Sequence, residues 1–113
     1  MTSSAATAQD RERKKLLDRL MRSEGRSAVS RAVDELLAAG FSLPEEQEIH
    51  VKLLEHVDEA RATEAIATLG RLLDDEEPRQ PLVLERRLRR LEEHAEDAEL
   101  RAQAAELRHR LRP

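Results

Sequence analysis

The stretch Leu53-Leu54-Glu55-His56-Val57-Asp58-Glu59-Ala60 returns further along the chain as Leu91-Glu92-Glu93-His94-Ala95-Glu96-Asp97-Ala98. The offset is 38 residues, and it continues downstream, where Ala67, Leu69 and Leu73 fall on Ala105, Leu107 and Leu111. Over the 21 aligned positions from Leu53 to Leu73, seven are identical. A chain this rich in Ala, Glu, Leu and Arg yields about two by composition alone. A fainter third copy places Leu16-Leu17 and Leu36-Leu37 where Leu53-Leu54 and Leu72-Leu73 would fall, as pattern rather than identity. A period of about 20–50 residues marks stacked helix-turn-helix units, each packed on its neighbour because it cannot bury its apolar face alone. Such units usually make binding surfaces rather than reaction centres.

Working outward, residues 1–8 read as a disordered leader. A first helix is expected over about 9–23, with Leu16, Leu17, Leu20 and Met21 as its apolar stripe and Gly25 as its stop. Ser27 is placed to cap a second helix, about 28–39, whose apolar residues recur in pairs at Ala28-Val29, Ala32-Val33 and Leu36-Leu37. Gly40 follows as a left-handed cap residue, with Phe41 folding back as its hydrophobic contact. Ser42-Leu43-Pro44-Glu45 has the form of a capping box opening a third helix over about 43–57. Asp58 can cap a fourth, about 59–73. The acidic run Asp74-Asp75-Glu76-Glu77 opposes a helix dipole, and Pro78 and Pro81 prevent continuation. A fifth helix over about 81–94 and a sixth over about 97–111 complete the chain. No Gly or Pro lies between Leu82 and Arg112, and Leu84, Leu88, Leu91, Ala95, Ala98, Ala102 and Ala105 keep a heptad rhythm. Residues 82–111 could therefore be one coiled-coil helix; the repeat favours a turn instead. The expected fold is all-α: one domain, 9–113, of six helices in three antiparallel hairpins (about 9–40, 41–78 and 79–113), forming a short α-solenoid or compact bundle.

Composition narrows the function. Phe41 is the only aromatic residue, so the core must be aliphatic and thin, which favours contact with a partner. There are no cysteines, which removes disulfides, thiol catalysis and Cys-type zinc sites. No run approaches the ~18 apolar residues of a membrane span. The start of the chain does not read as a signal peptide, and Thr2 stands where myristoylation needs glycine. A cytoplasmic protein is expected, and the 17 arginines against three lysines suggest a GC-rich bacterial source. Charge is segregated: +2 over 1–40, −8 over 41–78 and +2 over 79–113. That order suits docking to a charged partner or a second copy, and it also arises where outer helix faces vary by chance.

Reaction chemistry finds little support. His50 and His56 fall on different helix faces, and Glu106-x-x-His109 is the single Glu-x-x-His pair at ligand spacing, where a di-iron bundle needs two. His56 and His94 are repeat equivalents, expected to satisfy carbonyls at helix ends. No serine lies in a nucleophile elbow, and the three glycines, Gly25, Gly40 and Gly70, form no phosphate loop. No catalytic residue, metal or cofactor is expected. Two basic runs, Arg11 to Arg19 and Arg86-Arg87-Leu88-Arg89-Arg90, could meet nucleic acid. The acidic balance and missing stacking aromatics count against it, and Glu85, Glu92 and Glu93 can pair with the second run.

In layout, paired helices with a short acidic turn at Asp58-Glu59 and Asp97 and an Ala/Leu second helix, the chain resembles HEAT- and armadillo-type α-helical repeats. It departs from them in lacking a proline within the first helix of a unit and an Asp–Arg pair in the second. The resemblance implies a protein-binding scaffold. The expected role is thus a non-catalytic protein-interaction module, with docking assigned to Arg86, Arg89 and Arg90 on one face of the fifth helix and to Glu45, Glu46, Glu55 and Glu59 in the acidic middle unit. The partner would be another protein or a second copy. A nucleic-acid regulator and a coiled-coil oligomer through 82–111 are the alternatives.

Overall fold

The computed structural model describes residues 4–112, with side chains from Thr7 onward. Its helices are α1 (Ser4–Arg22), α2 (Arg26–Ala38), α3 (Gln47–Leu53), α4 (Glu59–Asp75), α5 (Pro81–His94) and α6 (Ala98–Arg110), and no strand occurs among the described residues. The fold is all-α, as expected. Consecutive helices pack together, α1 on α2, α3 on α4 and α5 on α6. The antiparallel course of the last pair shows in its side chains. Arg101, early in α6, donates to the carbonyl of Ala95 just past α5 (2.6 Å), whereas Arg108, late in α6, reaches back to Glu85 (3.3 Å).

The centre of the molecule is its shortest helix. Seven residues long, α3 touches α1, α2, α4 and α5. Gln47, Ile49, His50, Val51 and Leu53 are all buried. A helix of two turns is unstable alone, because few hydrogen bonds offset the ordering of its backbone; burial on several sides holds it. One continuous core runs from Leu20, Val29 and Val33 through Ile49, Leu53 and Leu54 to Leu69, Leu88, Leu100 and Leu107. It is aliphatic throughout, and Phe41 lies outside it, half-buried.

Some positions of the 38-residue echo share an environment. Leu53 and Leu91 are both buried, as are Leu69 and Leu107. Asp58 caps α4 by accepting from the Ala60 N–H (3.0 Å), and Asp97 caps α6 by accepting from the Glu99 N–H (3.1 Å). The two caps sit one residue out of register. Gly40 also meets expectation. At φ +89° it lets the Phe41 N–H reach the Leu36 carbonyl (3.2 Å) and its own N–H the Leu37 carbonyl (3.0 Å), which closes α2 in a Schellman motif.

Three local expectations need correction. Helix α1 begins at Ser4, so residues 4–8 of the expected leader are helical, carried by Ala6 and Ala8, strong helix formers; residues 1–3 lie outside the described residues. Ser27 does not cap α2. Gly25, at φ +87° and ψ 156°, turns the chain directly, and its carbonyl accepts from Val29. The capping box at Ser42 does not form either. Leu43 packs against the core in an irregular segment, and Glu46 is the N-cap of α3. The Pro44 carbonyl instead takes the Glu46 N–H (2.9 Å) and the His50 ring (3.0 Å). As the repeat favoured, residues 82–111 are two helices and not one. The break at 95–97 is fixed from another unit: Glu59 accepts the N–H groups of Glu96 (2.8 Å) and Asp97 (3.0 Å).

Candidate interaction surfaces

The last carbonyls of a helix carry unsatisfied hydrogen-bonding capacity and partial negative charge. In α3 they are met by arginines from two other elements. Arg87 donates to Val51 O (2.9 Å), Arg90 to Leu54 O (3.0 Å) and Arg26 to Glu55 O (3.3 Å). Arg87 also pairs with the Glu55 carboxylate at 2.7 Å, both side chains less than a fifth exposed. Beside them Lys52 donates to Ser23 O (2.6 Å). Burial, then the Arg87 charge, pushes the Lys52 ammonium below its ordinary range. Burial and Arg26 do the same to Arg90. These cations hold helices together.

That arrangement redistributes the residues assigned to docking. Arg86, Arg89 and Arg90 share one side of α5 by helical spacing, yet their side chains are engaged differently. Arg90 turns inward to α3, and Arg89 pairs with Glu85 one turn back (2.7 Å). Arg86 alone is exposed and without hydrogen bond or ion pair among the described residues, on the wall of a polar cleft of about 430 Å3 between the α1–α2 turn, α3 and α5. The acidic set is likewise divided. Glu45 pairs with Arg71 (2.8 Å) and Glu46 precedes α3, while Glu55 and Glu59 lie beyond its other end. Glu59 is a clamp between units, and the Glu96 and Asp97 N–H groups hold its carboxyl below the usual range.

His56 and His94, repeat equivalents in sequence, sit in different environments. His56 is buried, its Nε2 donating to Asp34 Oδ1 (2.8 Å) and its Nδ1 accepting from the Asp58 N–H (2.9 Å). Ser30 lies one turn from Asp34 on α2, and its hydroxyl accepts from Val57 N (2.9 Å) while donating to Arg26 O (2.6 Å). The three residue types of a catalytic triad are thus close in the fold. Both ring nitrogens and the hydroxyl are already engaged with other partners, so this geometry does not place His56 as the base for Ser30. His94 stands exposed near Glu93 (3.7 Å). Among the described residues no three His, Asp or Glu side chains gather as a metal-binding group, and no helix is long and apolar enough to cross a membrane.

Sequence reasoning missed two features. Gln47, 2% exposed, ties α3 to the loop before α5. Its amide donates to Glu76 Oε1 and Glu77 O (both 2.9 Å), and its oxygen accepts from the Arg79 N–H (3.0 Å). That loop shapes the second feature, an apolar groove of about 230 Å3 where α5 begins and α6 ends. Buried Leu84 and Leu88 lie deepest in it, Pro78, Pro81 and Leu111 form its walls, and Glu85, Arg108 and Arg112 its rim. Leu82, 85% exposed, stands beside it. Pro78 and Pro81, with two residues between them, were the available signal: a helix started by proline after a proline turn leaves its first apolar residue, Leu82, without a preceding turn to pack on.

No protein-family model matches the chain, and no curated protein or solved structure matches it either.

Proposed function

We propose that this chain is a non-catalytic protein-interaction module, an adaptor, scaffold or regulatory subunit of the bacterial cytoplasm, and that it docks through the corner of its last hairpin. The observation that carries this reading is Leu82. It is the most exposed large apolar side chain among the described residues, and it borders an apolar groove. Exposed apolar surface beside a concave apolar site marks contact surfaces on folded proteins. Most buried or half-buried cations of α5 are committed to helix–helix contacts, so the docking surface moves from the arginine run to this corner.

A photo-crosslinking residue at position 82 tests the reading in host cells, with the same residue at exposed Arg31 as control. A discrete adduct at 82, absent at 31 and competed away by excess wild-type protein but not by Leu82→Asp, is the expected result. Equal or absent adducts at both positions would reject it.

A further inference from the structure

Residues 41–46 form an irregular strap between α2 and α3. Among the described residues, the one backbone hydrogen bond within it runs from the Glu46 N–H to the Pro44 carbonyl (2.9 Å). Side chains fasten it. Leu43 packs against the core, Glu45 pairs with Arg71 of α4 (2.8 Å), and the His50 Nε2–H donates to Pro44 O (3.0 Å). The ion pair is exposed on both sides and contributes little. His50 differs, being only 5% exposed. With the Nε2 proton directed at Pro44, the neutral ring keeps a lone pair on Nδ1, which is buried and meets no hydrogen-bond partner among the described residues. A proton added there makes a buried donor and a buried charge, and nothing accepts either. The charges that act on the ring are Glu45 of the strap and Arg71 and Glu64 of α4; among the described residues, α1, α2 and α5 contribute none. Glu45 is committed to Arg71, and Glu64 to Arg61 (3.1 Å), so neither is free to serve as counter-ion. Burial accordingly holds the imidazole below its ordinary range, against the Pro44 carbonyl and the Glu45 charge.

We propose that His50 is an acid-sensitive latch: protonating its ring releases the strap and uncovers the apolar surface beneath. The strap is the wall that yields. On the other side stands α4, a helix of 17 residues with its own hydrogen-bond ladder, whereas lifting the strap breaks a single internal backbone bond and lets water reach the imidazolium. Pro44 walls a groove together with Leu17, Met21 and Ile49, so its departure joins those side chains and the site vacated by Leu43 into one apolar face. Both ends of the strap stay anchored, at the Gly40 cap of α2 and at the first turn of α3.

The chain has no cysteine, so Leu43→Cys places a single thiol on the strap. Its maleimide labelling rate from about pH 7.5 to 5.5, where ordinary carboxylates stay ionised, is divided at each pH by that of Arg31→Cys, an exposed reference. The ratio reads the open fraction. Because opening takes up one proton, the ratio should rise by up to about tenfold per pH unit below 6.5. Leu100→Cys, buried in the last hairpin, should show no such rise, and His50→Gln should hold the Leu43→Cys ratio flat. Hydrogen exchange of the wild-type Glu46 and His50 amides, each against its random-chain rate at the same pH, gives the same reading without a thiol and should accelerate in parallel. A ratio independent of pH, an equal rise at Leu100→Cys, a rise that survives His50→Gln, or amide protection unchanged below pH 6.5 overturns the proposal.

Discussion

Gln47 offers the most direct test of how the helices are assembled, because one buried amide joins α3 to the loop that builds the groove. Gln47→Leu keeps the bulk and removes three hydrogen bonds, each with a net contribution of about 0.5–1.5 kcal/mol. Glu76 and Glu77 are exposed and regain water, which places the sum toward the lower end, about 1.5–3 kcal/mol. Gln47→Glu is nearly isosteric yet should do more damage. It keeps the acceptor for the Arg79 N–H but sets a second oxygen 2.9 Å from both the Glu76 carboxylate and the Glu77 carbonyl, where the amide had donated. An unpaired buried charge costs about 3–5 kcal/mol. The variant carboxyl is therefore raised in the folded state, and protonation turns it back into a donor. Its deficit relative to wild type should be largest at neutral pH and shrink on acidification. Urea unfolding followed by far-UV circular dichroism at pH 7 and pH 4 measures both, with hydrogen exchange of the Arg79 amide as the local readout. If Gln47→Glu equals Gln47→Leu at pH 7, or the Arg79 amide exchanges no faster in either variant, the amide bridge does not hold this loop.

Three further outcomes follow from single contacts. Glu59→Gln can satisfy only one of the Glu96 and Asp97 N–H groups, so its unfolding midpoint should fall. Because the folded carboxyl is held below 4.5 by those donors, the wild-type advantage should be full above that pH and fade as pH drops through the lower folded value. Gly25→Ala should destabilise more than Gly40→Ala: Gly25 combines φ +87° with ψ 156°, a region nearly exclusive to glycine and costing about 1–3 kcal/mol. An added Cβ meets nothing within 4 Å at either site, so both penalties are conformational, and equal urea midpoints would contradict the assignment. Burial lowers the His50 imidazole below 6.5, outweighing the Pro44 carbonyl and the Glu45 charge. Between the two values the unfolded chain binds the extra proton, so wild-type stability should decline as pH falls through 6.5, by at most about 1.4 kcal/mol per pH unit. His50→Gln should flatten that decline in denaturant titrations across pH 7.5 to 5.

The helices were legible in the chain wherever apolar spacing and a local cap agreed. Val29, Ala32, Val33 and Leu36 with Gly40, and Asp58 and Asp97 before Ala/Leu runs, are signals contained within a few residues, and the structure keeps them. Ser42-Leu43-Pro44-Glu45 is just as local and failed. Burying Leu43 and giving the Pro44 carbonyl to His50 required partners that the motif does not contain. The break at 95–97, which neither Gly nor Pro announces, was legible from the repeat and is reinforced from outside. Its two N–H groups are taken by Glu59, a unit away in sequence. Tertiary contacts overrode local chemistry at Ser42 and reinforced it at Asp97.

The candidate site was less legible for a related reason. A charge in sequence carries no mark of whether it is engaged in the fold. Arg87 and Arg90 look like Arg86 and Arg89, yet the first two close the end of α3, Arg89 neutralises Glu85, and Arg86 remains open. The distinction comes from the brevity of α3. A helix of seven residues exposes nearly as many terminal carbonyls as it bonds internally, so neighbouring elements must supply donors, and arginine, with five N–H groups on a long stem, reaches them best. The arginine run on α5 is thus explained first by the helix it packs against. On the proposed reading, recognition falls instead to the first turn of α5, where Leu82 is the most exposed large apolar side chain among the described residues.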